Sequence, residues 1–250
     1  MQSDDEAVGP KMTHLGEEII PAILPRSFSD LSEKVGSVVG LVPFVQVDVT
    51  DGKFTPNKTW PYLDGPDKDF AAILKEEKGF PSWEDIDFEV DMMVAEPEKL
   101  WRDWVLAGAK RLIFHIESVT DAAKLMDAIK SETVSEESFL HTEIGFALNI
   151  DTPNEKVEPF LEDLDFVQFM GIARIGYQGE HFDERVLPKI TDLRETHPDV
   201  TISVDGGVNM ESAPRLIEAG ADRLVVGSAI FESEDVRGTV MKFRQIFESL

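Results

Sequence analysis

Short apolar runs alternate with longer amphipathic segments along most of the chain. The runs have the length and composition of buried strands, and the segments between them have the apolar spacing of helices. The predicted strands cover residues 19–24, 44–49, 86–94, 111–116, 143–148, 166–170, 201–204 and 223–226. The predicted helices cover residues 29–39, 69–77, 97–107, 121–129, a segment that begins at Pro153, 182–196, 210–219 and 235–247. The pattern therefore predicts eight strands, each followed by a helix.

This alternation predicts an α/β fold, a (β/α)8 TIM barrel. Strands that are apolar throughout are typical of a parallel sheet covered on both faces, and eight such units close into a barrel. An open sheet that binds a dinucleotide would usually carry a glycine-rich turn after its first strand. Here that turn is residues 24–28, Leu-Pro-Arg-Ser-Phe, without glycine. We expect one barrel domain at residues 17–250, preceded by a flexible arm at residues 1–16.

The composition excludes several classes of protein. The chain of 250 residues has a net charge of −25, which disfavours general binding to nucleic acid or to anionic membranes. There is no cysteine, so disulfides, thiolate metal sites and a cysteine nucleophile are excluded. The acidic N-terminus lacks an apolar signal core and no apolar run reaches the ~20 residues of a membrane helix, so we expect a cytoplasmic protein. The acidity itself is equally compatible with a salty cytoplasm or a need for solubility.

Acidic side chains stand where three of the predicted strands end. Asp48 follows Gln46 on the same face of the second strand, Asp91 lies in the third strand, and Asp205 follows the seventh. In a barrel these carboxyl ends form the active-site face. Convergent carboxylates with an amide predict a site for a hard cation, or an acid and a base. The alternative is that each Asp caps a strand end or forms a turn.

Two glycine-containing turns follow the last two strands. Gly206 and Gly207 follow the seventh strand, and Gly227 and Ser228 follow the eighth. Barrels often hold phosphate at these two turns, because glycine lets backbone N–H groups approach an anion. The turns therefore predict a phosphate site, with plain tight turns as the alternative.

The residues after the second strand resemble a known signature. Residues 48–59, Asp-Val-Thr-Asp-Gly-Lys-Phe-Thr-Pro-Asn-Lys-Thr, are similar to the signature of the ribulose-phosphate 3-epimerase family. Four further segments agree in order: residues 21–24, 91–97, 107–109, and 204–208 leading to 227–231. The resemblance covers residues 19–231 and implies a barrel of the ribulose-phosphate-binding type.

The resemblance implies an isomerase, a sugar epimerase. Members interconvert ribulose 5-phosphate and xylulose 5-phosphate: one carboxylate removes the C3 proton and the other returns a proton to the opposite face of an enediolate. The two carboxylate positions match Asp48 and Asp205, and methionines near the intermediate match Met93 and Met170. A small phosphorylated sugar is then the partner, and a homo-oligomer is expected by resemblance.

This chain departs from the family at the metal site. The resemblance implies two His and the two Asp as ligands, but Gln46 and Asp91 occupy the His positions. The remaining ligand set, Asp48, Asp91, Asp205 and Gln46, is oxygen-only and favours Mg²⁺ or Mn²⁺ over Zn²⁺. The alternative is that the metal is lost and mutual repulsion raises the pKa of at least one carboxyl group. His115 matches a family histidine and is predicted to be structural.

The substrate-binding segments also differ. Ala22 takes the place of a serine at the end of the first strand, and the loop after the sixth strand has changed. In that loop Gly176 and Gly179 are retained and Gln178 replaces a glycine. Arg174 is new, and it is predicted either to bind a phosphate or carboxylate or to form a surface salt bridge. Altered lids usually mean altered substrate or altered closure.

Three functions are compatible with these residues. The first is an epimerase of ketopentose 5-phosphates with a remodelled metal site, and both retained Asp favour it. The second is another sugar-phosphate enzyme on the same barrel; its decarboxylase and synthase branch has a Lys within Asp-x-Lys-x-x-Asp, which residues 48–51 lack. The third is a non-catalytic sugar-phosphate binder, which loss of both His favours.

Overall fold

Eight parallel strands close into a barrel in the computed structural model, which describes residues 18–133 and 142–249. The strands follow one another in sequence order, and the first pairs with the last. They are β1 Glu18–Ile23, β2 Phe44–Thr50, β3 Asp87–Met93, β4 Arg111–His115, β5 Glu143–Leu148, β6 Phe166–Met170, β7 Thr201–Asp205 and β8 Arg223–Val226. The predicted fold is confirmed. The predicted arm at residues 1–16 lies outside the described residues.

Helices cover the outside of the barrel. They are α1 Phe28–Val38, α2 Lys68–Leu74, α3 Trp101–Leu106, α4 Ala122–Thr133, α5 Val186–Thr196, α6 Ser212–Ala219, α7 Ser228–Phe231 and α8 Val236–Ser249, with short 3₁₀ turns at Pro97–Lys99, Asn154–Lys156 and Glu158–Asp163. Within the described ranges, none of the helices has the length and apolar character needed to cross a membrane.

Alternation along each strand separates the outer core from the barrel interior. On β2, Val45, Val47 and Val49 are fully buried in the large core under the helices. Gln46 and Asp48 alternate with these valines and are also buried, but they face the interior. The strand pattern is therefore apolar outward and polar inward, which places chemistry-bearing side chains inside the barrel.

Several helix boundaries differ from the prediction, and three of the differences have a local cause. α1 begins at Phe28, because the Ser27 hydroxyl caps it by accepting the N–H of Asp30 at 3.1 Å. The segment after Pro153 forms 3₁₀ turns, because Pro159 would remove a donor from an α-helix there and clash with the preceding turn. α5 begins at Val186, four residues later than predicted. The N–H of Asp183 donates to the carbonyl of Gly171 at 2.8 Å, which holds the preceding loop against the end of β6.

A network of opposite charges fills the barrel end at which the strands begin. The Arg111 guanidinium contacts Glu18 at 2.9 Å, Glu89 at 3.2 Å and Glu143 at 2.9 Å. Arg223 adds contacts to Glu18 at 3.4 Å and Glu143 at 3.5 Å. Burial raises the pKa of Glu89 to about 7, although the two guanidinium groups oppose this. Each carboxylate here therefore has a guanidinium partner.

Candidate active site

Three buried carboxylates converge at the opposite end of the barrel. Asp48 lies near the end of β2, Asp91 lies beside it on β3, and Asp205 ends β7. One carboxylate oxygen from each lies within 4.8 Å of the others. The strand register contributes to this, because it pairs Asp48 with Asp91. The structure thus brings together the three Asp that the sequence analysis selected.

Gln46 links two of the three carboxylates. Its amide nitrogen donates to Asp48 Oδ1 at 2.8 Å and to Asp205 Oδ2 at 2.7 Å. Its amide oxygen is buried and has no hydrogen-bond partner among the described residues. Gln46 therefore holds Asp48 and Asp205 in fixed positions, with its nitrogen rather than its oxygen towards them.

His115 provides the positive charge for the third carboxylate. Its Nε2 lies 3.1 Å from Asp91 Oδ1, and its Nδ1 lies 3.7 Å from Glu117 Oε2. Burial opposes a charged imidazole, but the charges of Asp91 and Glu117 outweigh it and raise the pKa of His115 to about 10. Burial likewise opposes ionisation of Glu117, yet His115 lowers the pKa of Glu117 to about 2. Asp91, His115 and Glu117 thus form an ionic chain from the barrel interior towards its rim.

Asp48 and Asp205 contact no cationic side chain within the described parts of the chain. Burial and the charges of Asp205 and Asp91 raise the pKa of Asp48 well above its usual range. Burial and the charge of Asp91 raise the pKa of Asp205 to about 7. Two nearby carboxyl groups with raised pKa values can exist with one proton between them, which is the state that an acid and base pair requires.

A cavity of about 480 Å³ opens above these carboxylates. This volume is within the range of small-molecule sites. Asp48 and Asp205 lie in its lining together with most of the predicted substrate-binding residues: Met93, Met170, Gly176, Gly179, Gly206, Gly207, Gly227 and Ser228. Arg174 is absent from the lining. It is 70% exposed and pairs with Glu180 at 2.6 Å, so its predicted contact with an anion stays a prediction.

Two glycines are required by the cavity wall itself. Gly207 has φ +69°, and a Cβ there would lie 2.6 Å from the Cα of Phe182. Gly176 has φ +82°, and a Cβ there would lie 2.9 Å from the Cβ of Thr55. Because only glycine avoids both the strain and the contact, the loops after β6 and β7 can pack closely over the site.

Comparison with known proteins identifies the family. The family model described as Ribulose-phosphate 3 epimerase family matches residues 18–231. A ribulose-phosphate 3-epimerase of Bacillus subtilis (strain 168) is 33% identical over 233 residues, and the alignment covers 91% of this chain and 98% of that protein. The chain belongs to the ribulose-phosphate 3-epimerase family. A chloroplastic ribulose-5-phosphate-3-epimerase of Arabidopsis thaliana is 34% identical over 224 residues, covering 87% of this chain and 72% of that protein.

Solved structures with lower identity show the same fold. KGPDC from Streptococcus mutans, in a complex with its ligand, superposes with a TM-score of 0.67 at 14% identity, covering 94% of this chain and 98% of that one. A 3-hexulose-6-phosphate synthase from Salmonella typhimurium has a TM-score of 0.63 at 16% identity, covering 93% and 99%. At these identities the likeness concerns the barrel alone.

The ribulose-phosphate 3-epimerase family uses a divalent metal, and the carboxylate cluster fits a hard cation. The three carboxylates lie close enough to share one ion. The buried oxygen of Gln46 has no hydrogen-bond partner in the described part of the chain, and rotation of the amide would add it as a fourth oxygen donor. This donor set suits Mg²⁺ or Mn²⁺ better than a metal that prefers imidazole. The residues at this site therefore fit a divalent cation through oxygen ligands only.

Two residues at the site were not selected by sequence reasoning. His115 was predicted to be structural, and the structure pairs it with Asp91. Its position at the end of β4, next to β3, is the sequence feature that could have indicated this pairing. Gln178 was noted only as a departure from the family, but it reaches into the cavity. The sequence feature that could have indicated this role is a polar side chain at a lid position where the family resemblance implies glycine.

Proposed function

We propose that this protein is an isomerase that interconverts ribulose 5-phosphate and xylulose 5-phosphate. The observation that carries the proposal is the convergence of Asp48 and Asp205 from opposite sides of the barrel at the floor of the cavity. Family membership supports the same reaction. The reaction is assigned to a barrel domain of residues 17–250.

Epimerisation at C3 needs one base and one acid on opposite faces of the sugar. The ionised member of the Asp48 and Asp205 pair removes the C3 proton, and the electron pair of that bond forms the C2–C3 double bond of an enediolate. The protonated member then donates its proton to C3 from the other face, which inverts that carbon. The raised pKa values of both groups keep a proton available near neutral pH. Without a cation, Gln46 holds the two carboxyl groups in place through its two N–H bonds, which rotation of the amide towards a cation would release.

Neutral groups at the far wall of the cavity bind the phosphate. Gly206, Gly207, Gly227 and Ser228 lie together there, and exposed backbone N–H groups of glycine turns are good donors to an anion. Met93 and Met170 line the floor near the carboxylates and present an apolar surface to the enediolate. This arrangement orients C3 between Asp48 and Asp205.

Asp48, Asp91 and Asp205, with the oxygen of Gln46, are the residues that would hold a divalent cation. Mg²⁺ or Mn²⁺ is favoured over Zn²⁺ because the donors are oxygens. When bound, such an ion polarises the substrate carbonyl and stabilises the negative charge of the enediolate. His115 balances the charge of Asp91 and holds that carboxylate in place. A cytoplasmic location and a homo-oligomeric state stay predictions.

The experiment that tests the proposed function is conversion of ribulose 5-phosphate to xylulose 5-phosphate by the purified protein. We expect activity that EDTA lowers and that Mn²⁺ or Mg²⁺ restores better than Zn²⁺. No conversion by folded protein with any of these ions would contradict the proposal.

Metal binding is measured separately by calorimetry with Mn²⁺. We expect binding by the wild type and at least tenfold weaker binding by Asp91→Ala, since one of three carboxylate ligands is lost. Asp121→Ala, which removes an acidic residue of the exposed loop before α4, is the matched control. Unchanged Mn²⁺ binding by Asp91→Ala would contradict the ligand assignment.

A further inference from the structure

The side chain of Gln178 reaches from the lid across the cavity wall. The lid is the loop of residues 172–182 between β6 and α5. The amide nitrogen of Gln178 donates to the carbonyl of Ala22, at the end of β1, at 3.3 Å. A Cβ built on Gly227, after β8, would lie 3.2 Å from the same nitrogen. The Gln178 amide therefore lies between the ends of β1 and β8, beside the proposed phosphate site.

Contacts on both sides of Gln178 fix the lid in this position. Asn57, in the loop after β2, donates its amide N–H to the carbonyl of Gly176 at 3.1 Å. The exposed Arg174 pairs with Glu180, which lines the cavity. These contacts hold the backbone around Gln178, so its side chain has a defined direction into the cavity.

The charged side chains that line the cavity do not favour an anion, so uncharged donors such as the Gln178 amide matter for binding phosphate. Among the described residues that line the cavity there is no lysine or arginine. Four lining residues are acidic, namely Asp48, Asp205, Glu180 and Glu232. A phosphate dianion bound here meets no guanidinium or ammonium group, and among the described lining residues the imidazole of His181 is the one basic side chain. Neutral N–H and O–H donors therefore supply most of the attraction. The described lining side chains that carry an N–H donor are Gln178, His181 and Asn209.

The hydrogen-bonding capacity of Gln178 is only partly used. Its amide nitrogen carries two hydrogens, and the bond to Ala22 uses one of them. The second hydrogen is therefore available to a ligand in the cavity that Gln178 lines.

We propose that Gln178 is a substrate-binding residue whose second amide N–H donates to a phosphate oxygen of the ligand seated at Gly227 and Ser228. This inference rests on the proposed function, because it assumes a phosphorylated substrate in this cavity. The lid then contributes directly to affinity for the phosphate group.

The test compares Gln178→Ala and Gln178→Glu with the wild type by calorimetry, using inorganic phosphate as the probe. A hydrogen bond to a charged group accounts for about ten- to one-hundredfold in affinity. We expect the Kd for phosphate to rise about tenfold in Gln178→Ala and further in Gln178→Glu, whose carboxylate repels the anion. With ribulose 5-phosphate, KM rises in the same order and kcat changes by less than about threefold.

The matched controls are Gln245→Ala and Gln245→Glu. Gln245 is exposed on α8 and the changes are chemically the same, so we expect wild-type phosphate binding and kinetics from both. Unchanged phosphate binding in both Gln178 variants would overturn the inference. So would a loss confined to kcat, because Gln178 would then only latch the lid to Ala22.

Measurements on the wild type distinguish failure of the Gln178 inference from failure of the proposed function. If it converts ribulose 5-phosphate and binds phosphate while the Gln178 variants equal it, only this inference fails. If the folded wild type neither converts the sugar nor binds phosphate, the proposed function fails and this inference fails with it.

Discussion

The two ends of this barrel both hold several carboxylates but compensate their charges differently. Where the strands begin, Glu18, Glu89 and Glu143 contact the guanidinium groups of Arg111 and Arg223 at 2.9 to 3.5 Å. Where the strands end, Asp48, Asp91 and Asp205 contact one imidazole and two amides. His115 contacts Asp91, Gln46 joins Asp48 and Asp205, and the amide of Gln168 donates to Asp91 at 3.5 Å.

The difference separates a structural network from a reactive one. Buried ions are tolerated when opposite charges and hydrogen bonds compensate them, as at the Arg111 end. Burial raises the pKa of Glu89 to about 7 there, and the two guanidinium groups oppose this rise. At the Asp205 end the charges of neighbouring carboxylates instead add to burial in raising the pKa of Asp48 and Asp205, so the compensation is incomplete. Binding of a proton or a cation stabilises such a site, because it reduces the repulsion among the carboxylates. The incompletely compensated negative charge is therefore the physical basis for proton exchange and metal binding at this end.

The largest expected effect comes from removing one carboxylate of the reactive end. Asp48→Asn or Asp205→Asn should lower epimerisation at least 10²- to 10⁴-fold, the range of a lost general acid or base. Glu89→Gln, the corresponding change at the other end, should leave kcat/KM within about threefold. Steady-state kinetics of the three variants checks this. Comparable losses in all three would erase the distinction between the two ends.

The next effect is on stability and concerns the structural end. Arg111→Met leaves Glu18, Glu89 and Glu143 short of a partner and should lower the free energy of unfolding by about 3–5 kcal/mol. Arg26→Met removes an exposed pair with Asp30 and should cost about 0–1 kcal/mol. Urea titration measures both. A cost for Arg111→Met as small as that for Arg26→Met would show that the network does not hold the barrel together.

A smaller effect is the pH dependence of the metal-free protein. The pKa of Asp205 is about 7 in the folded chain and 3.8 ordinarily, so the folded state binds more protons than the unfolded state between these values. Asp205 therefore makes stability fall as pH rises from about 4 to about 7. Asp205→Asn should remove this contribution and be more stable than the wild type at pH 8. Urea titrations in EDTA across this range check it, and identical pH slopes for the two proteins would refute it.

The sequence predicted the fold because alternation of strands and helices reports burial directly. It also predicted the convergence of Asp48, Asp91 and Asp205, since parallel strands present their carboxyl ends at one face of a barrel. The pairing of His115 with Asp91 depends on the register between β3 and β4, which the apolar pattern does not specify. The 3₁₀ turns around Pro159 were missed because Pro153 suits the first turn of an α-helix, whereas Pro159 would interrupt such a helix.

The direction of an amide is equally hidden in a sequence. The role of Gln46 as an oxygen ligand stays a prediction. In the structure its nitrogen faces Asp48 and Asp205, because two nearby carboxylates select a donor. Gln178 occupies an irregular lid whose path is set by Asn57 and Gly176 rather than by periodicity. Residues of this kind become interpretable only when their neighbours are known.

Asp48 and Asp205 are assigned here as two separate proton-transferring groups. Incorporation of deuterium at C3 of the sugar is a direct test of that assignment. Ribulose 5-phosphate is incubated with the protein in D₂O and followed by NMR. We expect the wild type to form xylulose 5-phosphate that carries solvent deuterium at C3. One of the variants Asp48→Asn and Asp205→Asn should still exchange the C3 proton of ribulose 5-phosphate without forming product, because it retains the base on that face. Product that forms without deuterium, or undiminished product formation by both variants, would contradict the account.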